Sequence, residues 1–210
     1  MSARPDVELI AGADDARIAG WIAARLGAAL AASEGTVAIS LPGGSTPFPI
    51  LAELVKHPLV WERVVAFPGD DRLVPEDHPA SNTGKLRALL EPAGASVRAL
   101  SLDAAPPHFA LVWLGMGADG HIASLFPNTD PRSDDPAPVR RLTPDPLPPE
   151  APFDRITLTI PALLACEALM FVIRGDDKRA VLEGALAGGH DLPIARLLAA
   201  RGDTPVTCFV

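Results

Sequence analysis

Tyrosine is absent from the 210 residues, cysteine occurs twice, methionine three times, and aromatic side chains make up only 5% of the chain. Without tyrosine, one common general acid is missing from any catalytic scheme. The two cysteines, Cys166 and Cys208, sit far apart in apolar segments. Such a pair excludes a disulfide scaffold, has no metal-site spacing, and reads as two buried free thiols. No apolar run is long enough to span a bilayer. Positive charge is also scarce: 18 Lys and Arg stand against 26 Asp and Glu, a net charge of −8. That balance excludes a general nucleic-acid surface. It does not exclude a small anionic substrate, because a few local cations and helix N-termini can hold a phosphate inside an acidic protein. The opening stretch MSARPDVELIAGADD has acidic residues and no apolar core ahead of a small-residue cleavage site. No secretory signal is therefore expected, and a cytoplasmic location is the default.

What is present is a globular composition, 48% apolar and 21% charged, with a length that fits one domain over residues 1–210. The stretch Leu111 to Pro127, LVWLGMGADGHIASLFP, organises the rest. An apolar run, ALVWL, reads as a buried strand. It breaks into Gly115, Gly117 and Gly120, with Asp119 and His121 flanking the last, and Ile122 to Phe126 carries a helical signal closed by Pro127. Strand, glycine turn, helix is a form in which α/β proteins carry ligand-handling groups at strand carboxyl ends. A carboxylate and an imidazole two residues apart supply an acid/base pair with an orienting partner. Taken alone, one GxGxDGH serves about as often as an ordinary turn.

Other segments repeat the pattern. Asp14 to Leu30 spaces Ile18, Trp21, Ile22, Leu26 and Leu30 as a helix whose apolar face packs on a sheet. TVAISL, Thr36 to Leu41, is a strand running into PGGSTP, where Gly43 and Gly44 free the backbone and Ser45 and Thr46 offer hydroxyls near the next helix start. Such a turn is either an anion cradle or a plain capped turn; the Walker spacing and lysine are absent. RVVAF, Arg63 to Phe67, leads to Asp70, Asp71 and Arg72 just beyond its end, two acids too close to address one ligand together. His78, Ser81 and Asn82 read as loop architecture before the helix NTGKLRALL. Nine prolines between Pro127 and Pro152 predict an extended surface loop, with Arg132, Arg140 and Arg141 as solvated charges. DRITLTI alternates as a half-exposed strand does, PALLACE follows as a short helix, and ALMFVI reads as a buried strand. Lys178 then falls on the first turn of a helix, against the helix dipole, a placement an anion beside it would relieve. TPVTCFV closes the chain as a strand.

Four turns together, LPGGSTP, GDDRLVP…H..SN, GMGADGHIASLFP and RITLTIPALL…GDDK, resemble the 6-phosphogluconolactonases in order and approximate spacing, over about Thr36 to Lys178. The wider group includes glucosamine-6-phosphate deaminases/isomerases, which characteristically continue after DGH into an asparagine–glutamate–proline segment where this chain has SLFP. The chain departs from the lactonase pattern in two places: Asp71 stands where Glu is usual, and it stops at CFV without the usual tryptophan-containing tail. The resemblance implies a Rossmann-like α/β fold, an open, mainly parallel sheet with helices on both faces. It implies no metal and no nicotinamide or other cofactor. It also implies hydrolysis of a phosphosugar lactone by water activation. Residue by residue it points to Gly43, Gly44, Ser45, Thr46, Arg155 and Lys178 for the phosphate end, and to Asp70, Arg72, Asp119 and His121 for the reacting end. The rival functions are an amino-sugar-phosphate isomerase/deaminase and a phosphosugar-binding module without catalysis. No nucleic-acid or membrane partner is expected, and a monomer is compatible with the sequence.

Overall fold

Ten short strands and six helices are seen in a computed structural model that describes residues 7–103, 105–147, 149 and 151–210. The first six residues of the opening stretch and two residues of the proline-rich segment, 148 and 150, lie outside the described residues. Seven strands form one sheet: β1 (Val7–Ile10), β2 (Val37–Leu41), β3 (Val64–Pro68), β5 (Ser96–Val97), β6 (Leu111–Leu114), β9 (Leu169–Val172) and β10 (Val206–Phe209). Their order is β1-β10-β9-β6-β2-β3-β5, and every pairing is parallel. A parallel sheet is covered on both faces, so its strands are near-continuously apolar. In β6, Leu111 and Trp113 point into one core while Val112 and Leu114 point into the other.

The first core lies under α1 (Asp15–Ala32), α2 (Pro47–Leu54) and α3 (Asn82–Leu90). Helix α1 begins where expected, at Asp14, whose side chain accepts from the Arg17 N–H, and Ile18, Ile22, Leu26 and Leu30 are its buried stripe. The second core takes α4 (Ile160–Leu164), α5 (Asp176–Ala187) and α6 (Pro193–Ala200). It also takes part of a second sheet of three antiparallel strands, β4 (Asp70–Arg72), β8 (Arg155–Leu158) and β7 (Val139–Leu142), in the order β4-β8-β7.

Four expectations need correction. Ile122 to Phe126 is not helical: Ile122 bridges to Met116 and Leu125, and Ala123 takes φ +48°. Hydrogen bonds to the second sheet compete there with the helical ladder. Asp70, Asp71 and Arg72 are a strand rather than loop residues after one. The proline-rich segment is not wholly loop, because its longest proline-free stretch, between Pro138 and Pro144, supplies β7 as an edge strand. β8 is buried throughout rather than half-exposed: Arg155 lines a cavity, the Thr157 hydroxyl is hydrogen-bonded in the interior, and Ile156 and Leu158 pack in the core. Cys166 and Cys208 are buried free thiols, and burial pushes both up to about 12. Arg132, Arg140 and Arg141 are surface charges paired with Asp134, Asp135 and Asp154.

Candidate active site at the carboxyl edge of the sheet

The chain runs from β2 outward through β3 to β5, then returns to the other side of β2 for β6 and continues through β9. That reversal opens a crevice at the carboxyl ends of β2 and β6, the place where open α/β sheets bind ligands. The Pro42–Thr46 turn and the Gly115–His121 turn flank it, and a cavity of about 800 Å³ occupies it. Gly43, Gly44, Ser45, Thr46, Asp70, Arg72, His121, Arg155 and Lys178 all line this cavity. Asp119 stands behind, touching His121. The four turns are brought together because β9, β6, β2 and β3 are consecutive in the sheet.

The first turn does not cap α2 with a side chain: Thr46 is already helical and makes no such bond. Ser45 and Thr46 line the cavity instead, and neither hydroxyl makes a hydrogen bond among the described residues. Gly44, at φ +88°, makes the reversal.

On the next turn, His121 Nδ1 lies 2.6 Å from Asp119 Oδ1. The His121 N–H also donates to that oxygen, at 3.2 Å. Gly117 has to be bare, since a Cβ there would come within 2.3 Å of the imidazole. The ring rests near Phe126, centroids 4.8 Å apart, and its Nε2 has no partner among the described residues. A carboxylate on Nδ1 fixes the tautomer that leaves Nε2 as the basic nitrogen.

The facing wall is the antiparallel sheet. Antiparallel register sets Asp70 opposite Thr157 and Arg72 opposite Arg155, so all four share one face while Asp71 and Ile156 share the other. Asp70 Oδ2 accepts from Ser124 Oγ at 2.5 Å, and the Ser124 N–H donates to Thr157 Oγ1 at 3.2 Å. These bonds draw the SLFP segment inward. Burial pushes the Asp70 carboxyl above its ordinary range, against the opposing pull of Ser124 and Arg72. Arg155 is 3% exposed; its guanidinium donates to the carbonyls of Phe153 and Ala151, and burial, then Arg72 beside it, lowers its pKa.

Asp71 turns the other way and is 6% exposed. Its carboxylate accepts five hydrogen bonds, from the N–H groups of Arg72, Asn82 and Thr83 and the hydroxyls of Ser81 and Thr83. It therefore anchors the start of α3, and neighbouring acids in sequence serve separate ends.

The lining cations Arg72, Lys85, Arg155 and Lys178 form no ion pair among the described residues, whereas Arg87, Arg140, Arg174 and Arg196 on the surface each have a carboxylate. Lys178 makes no hydrogen bond there either, with Asp176 and Asp177 sharing its helical turn. Lys85, Asn82, Ser124 and Phe153 are cavity residues that sequence reasoning missed or left as scaffold. A signal for Lys85 existed: it is three residues from Asn82 on a helix, hence on the same face. His78 holds its loop as expected, Nδ1 accepting from the Ala80 N–H at 3.1 Å. It also meets the Phe153 ring edge-on at the cavity rim, centroids 5.3 Å apart. No group of three or more His, Cys, Asp or Glu is placed to hold a metal among the described residues.

A family model for glucosamine-6-phosphate isomerases/6-phosphogluconolactonase matches residues 13–105 and 91–206. The chain belongs to this family. A protein named 6-phosphogluconolactonase from Mesorhizobium japonicum is 35% identical over 213 residues, covering 91% of this chain and 88% of its own length. Another of that name from Pseudomonas putida is 39% identical over 207 residues, covering 87% and 84%. Among solved structures, a 6-phosphogluconolactonase from Shewanella baltica superposes with a TM-score of 0.82 at 27% identity, covering 99% of each chain. The family's α/β fold is the one described above.

Proposed function

We propose that this chain hydrolyses 6-phospho-D-glucono-1,5-lactone to 6-phosphogluconate, the lactonase step of the oxidative pentose phosphate pathway. Relatives bearing that activity in their names, at 35% and 39% identity over most of both chains, support the reading. The observation that carries the mechanism is an imidazole with Nδ1 taken by Asp119 and Nε2 free, on a cavity whose cations lack carboxylate partners.

A lactone carbonyl is already electrophilic, so water attacks C1 once a base takes its proton. His121 Nε2 is that base, and Asp119 stabilises the imidazolium formed. The C1–O bond to water forms as the carbonyl π pair moves to oxygen, and Arg72 stabilises that oxyanion. Collapse breaks the bond from C1 to the ring oxygen, and the imidazolium returns its proton to that alkoxide. Arg155, Lys178 and the Gly43–Thr46 turn hold the phosphate and so orient C1. The segment after His121 disfavours the isomerase/deaminase reading. Aligned on Pro127, the asparagine–glutamate–proline segment of those enzymes would put its glutamate at Phe126, whose ring rests near His121, and the next acid, Asp130, is engaged by Arg196 on the surface.

No helix among the described residues is long and apolar enough to cross a membrane; the phosphorylated substrate supports a place in the cytoplasm.

Lactone hydrolysis above the spontaneous background, with kcat reduced about 10²–10⁴-fold in His121→Ala and KM nearly kept, is the expected result. Tight 6-phosphogluconate binding without turnover would replace the enzyme with a binding module, and ammonia release from glucosamine 6-phosphate would establish the deaminase.

A further inference from the structure

Gly43 and Asn82 meet in a way that backbone conformation does not explain. Gly43 lies outside the left-handed region, so an L side chain is conformationally allowed there. Yet a Cβ at Gly43 would stand 2.2 Å from Asn82 Oδ1 and 2.4 Å from both Cγ and Nδ2, its three nearest atoms. All three of those atoms belong to one amide. That amide is 99% covered and held on several sides. The Asn82 backbone N–H goes to Asp71 Oδ1 at 2.6 Å, Nδ2 donates to the Asp70 carbonyl at 2.8 Å, and Oδ1 accepts from Arg72 Nη1 at 3.4 Å. Donating to a carbonyl while accepting from a guanidinium requires an amide; a carboxylate of the same size accepts only.

The Arg72 guanidinium is fixed through one nitrogen. Nη1 donates to the Ala80 carbonyl at 2.9 Å and to Asn82, while the buried Nε has no partner among the described residues. The rest of the fork is left for a ligand oxygen.

We propose that Asn82 is a positioning residue for Arg72: seated on the bare backbone of Gly43, its amide joins the Pro42–Thr46 turn to β4 and sets the direction of the guanidinium. What that guanidinium does to substrate rests on the lactonase reading; the fit of amide to glycine does not.

The test is a double-mutant square of Gly43→Ala and Asn82→Ala, with Asn82→Ala repeated in an Arg72→Ala protein. Each single change is expected to lower kcat/KM roughly 10–10²-fold, the scale of a group displaced by about 1 Å. The double variant should be no worse than Asn82→Ala alone, because removing the amide makes room for the new Cβ. In the Arg72→Ala protein, Asn82→Ala should cost less than about threefold, since the group to be positioned is gone. Asn82→Asp should lower kcat by partly neutralising Arg72, with KM nearly kept. Losses that multiply in the square, together with an undiminished Asn82→Ala loss without Arg72, would overturn the proposal. Urea midpoints of the same proteins give an independent readout of the square: a coupled square supports the fit, and an additive one sinks it. If the wild type fails to turn over the lactone, the functional reading falls alone. 6-Phosphogluconate affinity then replaces kcat/KM in the Arg72 comparison: a smaller Asn82→Ala loss without Arg72 supports the positioning role, and an undiminished one overturns it.

Discussion

The cavity has two walls made by different means. One is built from turns, Pro42–Thr46 and Gly115–His121, which leave the ends of parallel strands and carry their groups on accessible backbone; the Asp119 side chain is 53% exposed. The other is built from paired strands, β4 and β8, whose register points Asp70, Arg72, Arg155 and Thr157 inward and Asp71 into a buried anchor. On the turn wall a side chain is placed by three or four neighbouring residues and contributes little to holding the fold. On the strand wall the same side chains are also structural members, so function and stability are coupled there. Asp119 and Asp71 make the contrast sharpest. Both are aspartates that orient something else, one an imidazole at the surface, the other a helix in the interior.

Asp71→Ala should show the largest effect on stability, roughly 3 kcal/mol, because it strands buried N–H donors at the start of α3. Asp119→Ala should move the urea midpoint hardly at all, by about 0.5 kcal/mol or less, while lowering kcat. Equal losses of stability in the two variants would erase the distinction between the walls. Next in size, Arg155→Met and Lys178→Met should each raise KM about 10-fold or more by removing a charge from a remote dianion. Only Arg155→Met should also lower the urea midpoint, since it releases the carbonyls of Ala151 and Phe153 while Lys178 makes no hydrogen bond or ion pair among the described residues. The smallest effect concerns Asp70. Its folded pKa is raised by burial, so the unfolded chain loses that proton first as pH rises, and the native state is progressively disfavoured up to the folded pKa. Asp70→Asn should therefore stabilise the protein at about pH 7 and leave it unchanged near pH 3, below both pKa values. A stability gain that persists at the acid end would assign it to packing instead.

The turn wall is legible in the sequence and the strand wall largely is not. Glycine, proline, serine and aspartate at the ends of apolar runs mark Pro42–Thr46 and Gly115–His121 directly, whereas the contact of Asp119 with His121 depends on how the turn folds and is not given by their spacing. β4 is three residues, Asp-Asp-Arg, with no apolar period to announce a strand, and its partner comes from the second half of the chain. The helix expected at Ile122 to Phe126 does not form for the same reason: Ser124 bonds to Asp70 and Thr157, which no local pattern encodes. Helix α6 escapes a sequence reading because Leu192 precedes it and no polar cap announces its start. Asn82 and Lys85 enter the cavity because Asp71 fixes the angle of α3, a consequence of which way one carboxylate turns.

The pairing of β4 with β8 has a consequence for how the molecule comes into being. As the chain leaves the ribosome, β2, α2, β3 and α3 can assemble from near neighbours, and the first turn is then in place. Arg72 nevertheless sits on a strand with no mate until Arg155 to Leu158 has been synthesised, because joining them closes a loop over much of the chain. Until β8 has been synthesised, β4 has no strand to pair with and the cavity lacks its second wall. The site therefore needs both halves of the chain, and neither half made separately has one to offer.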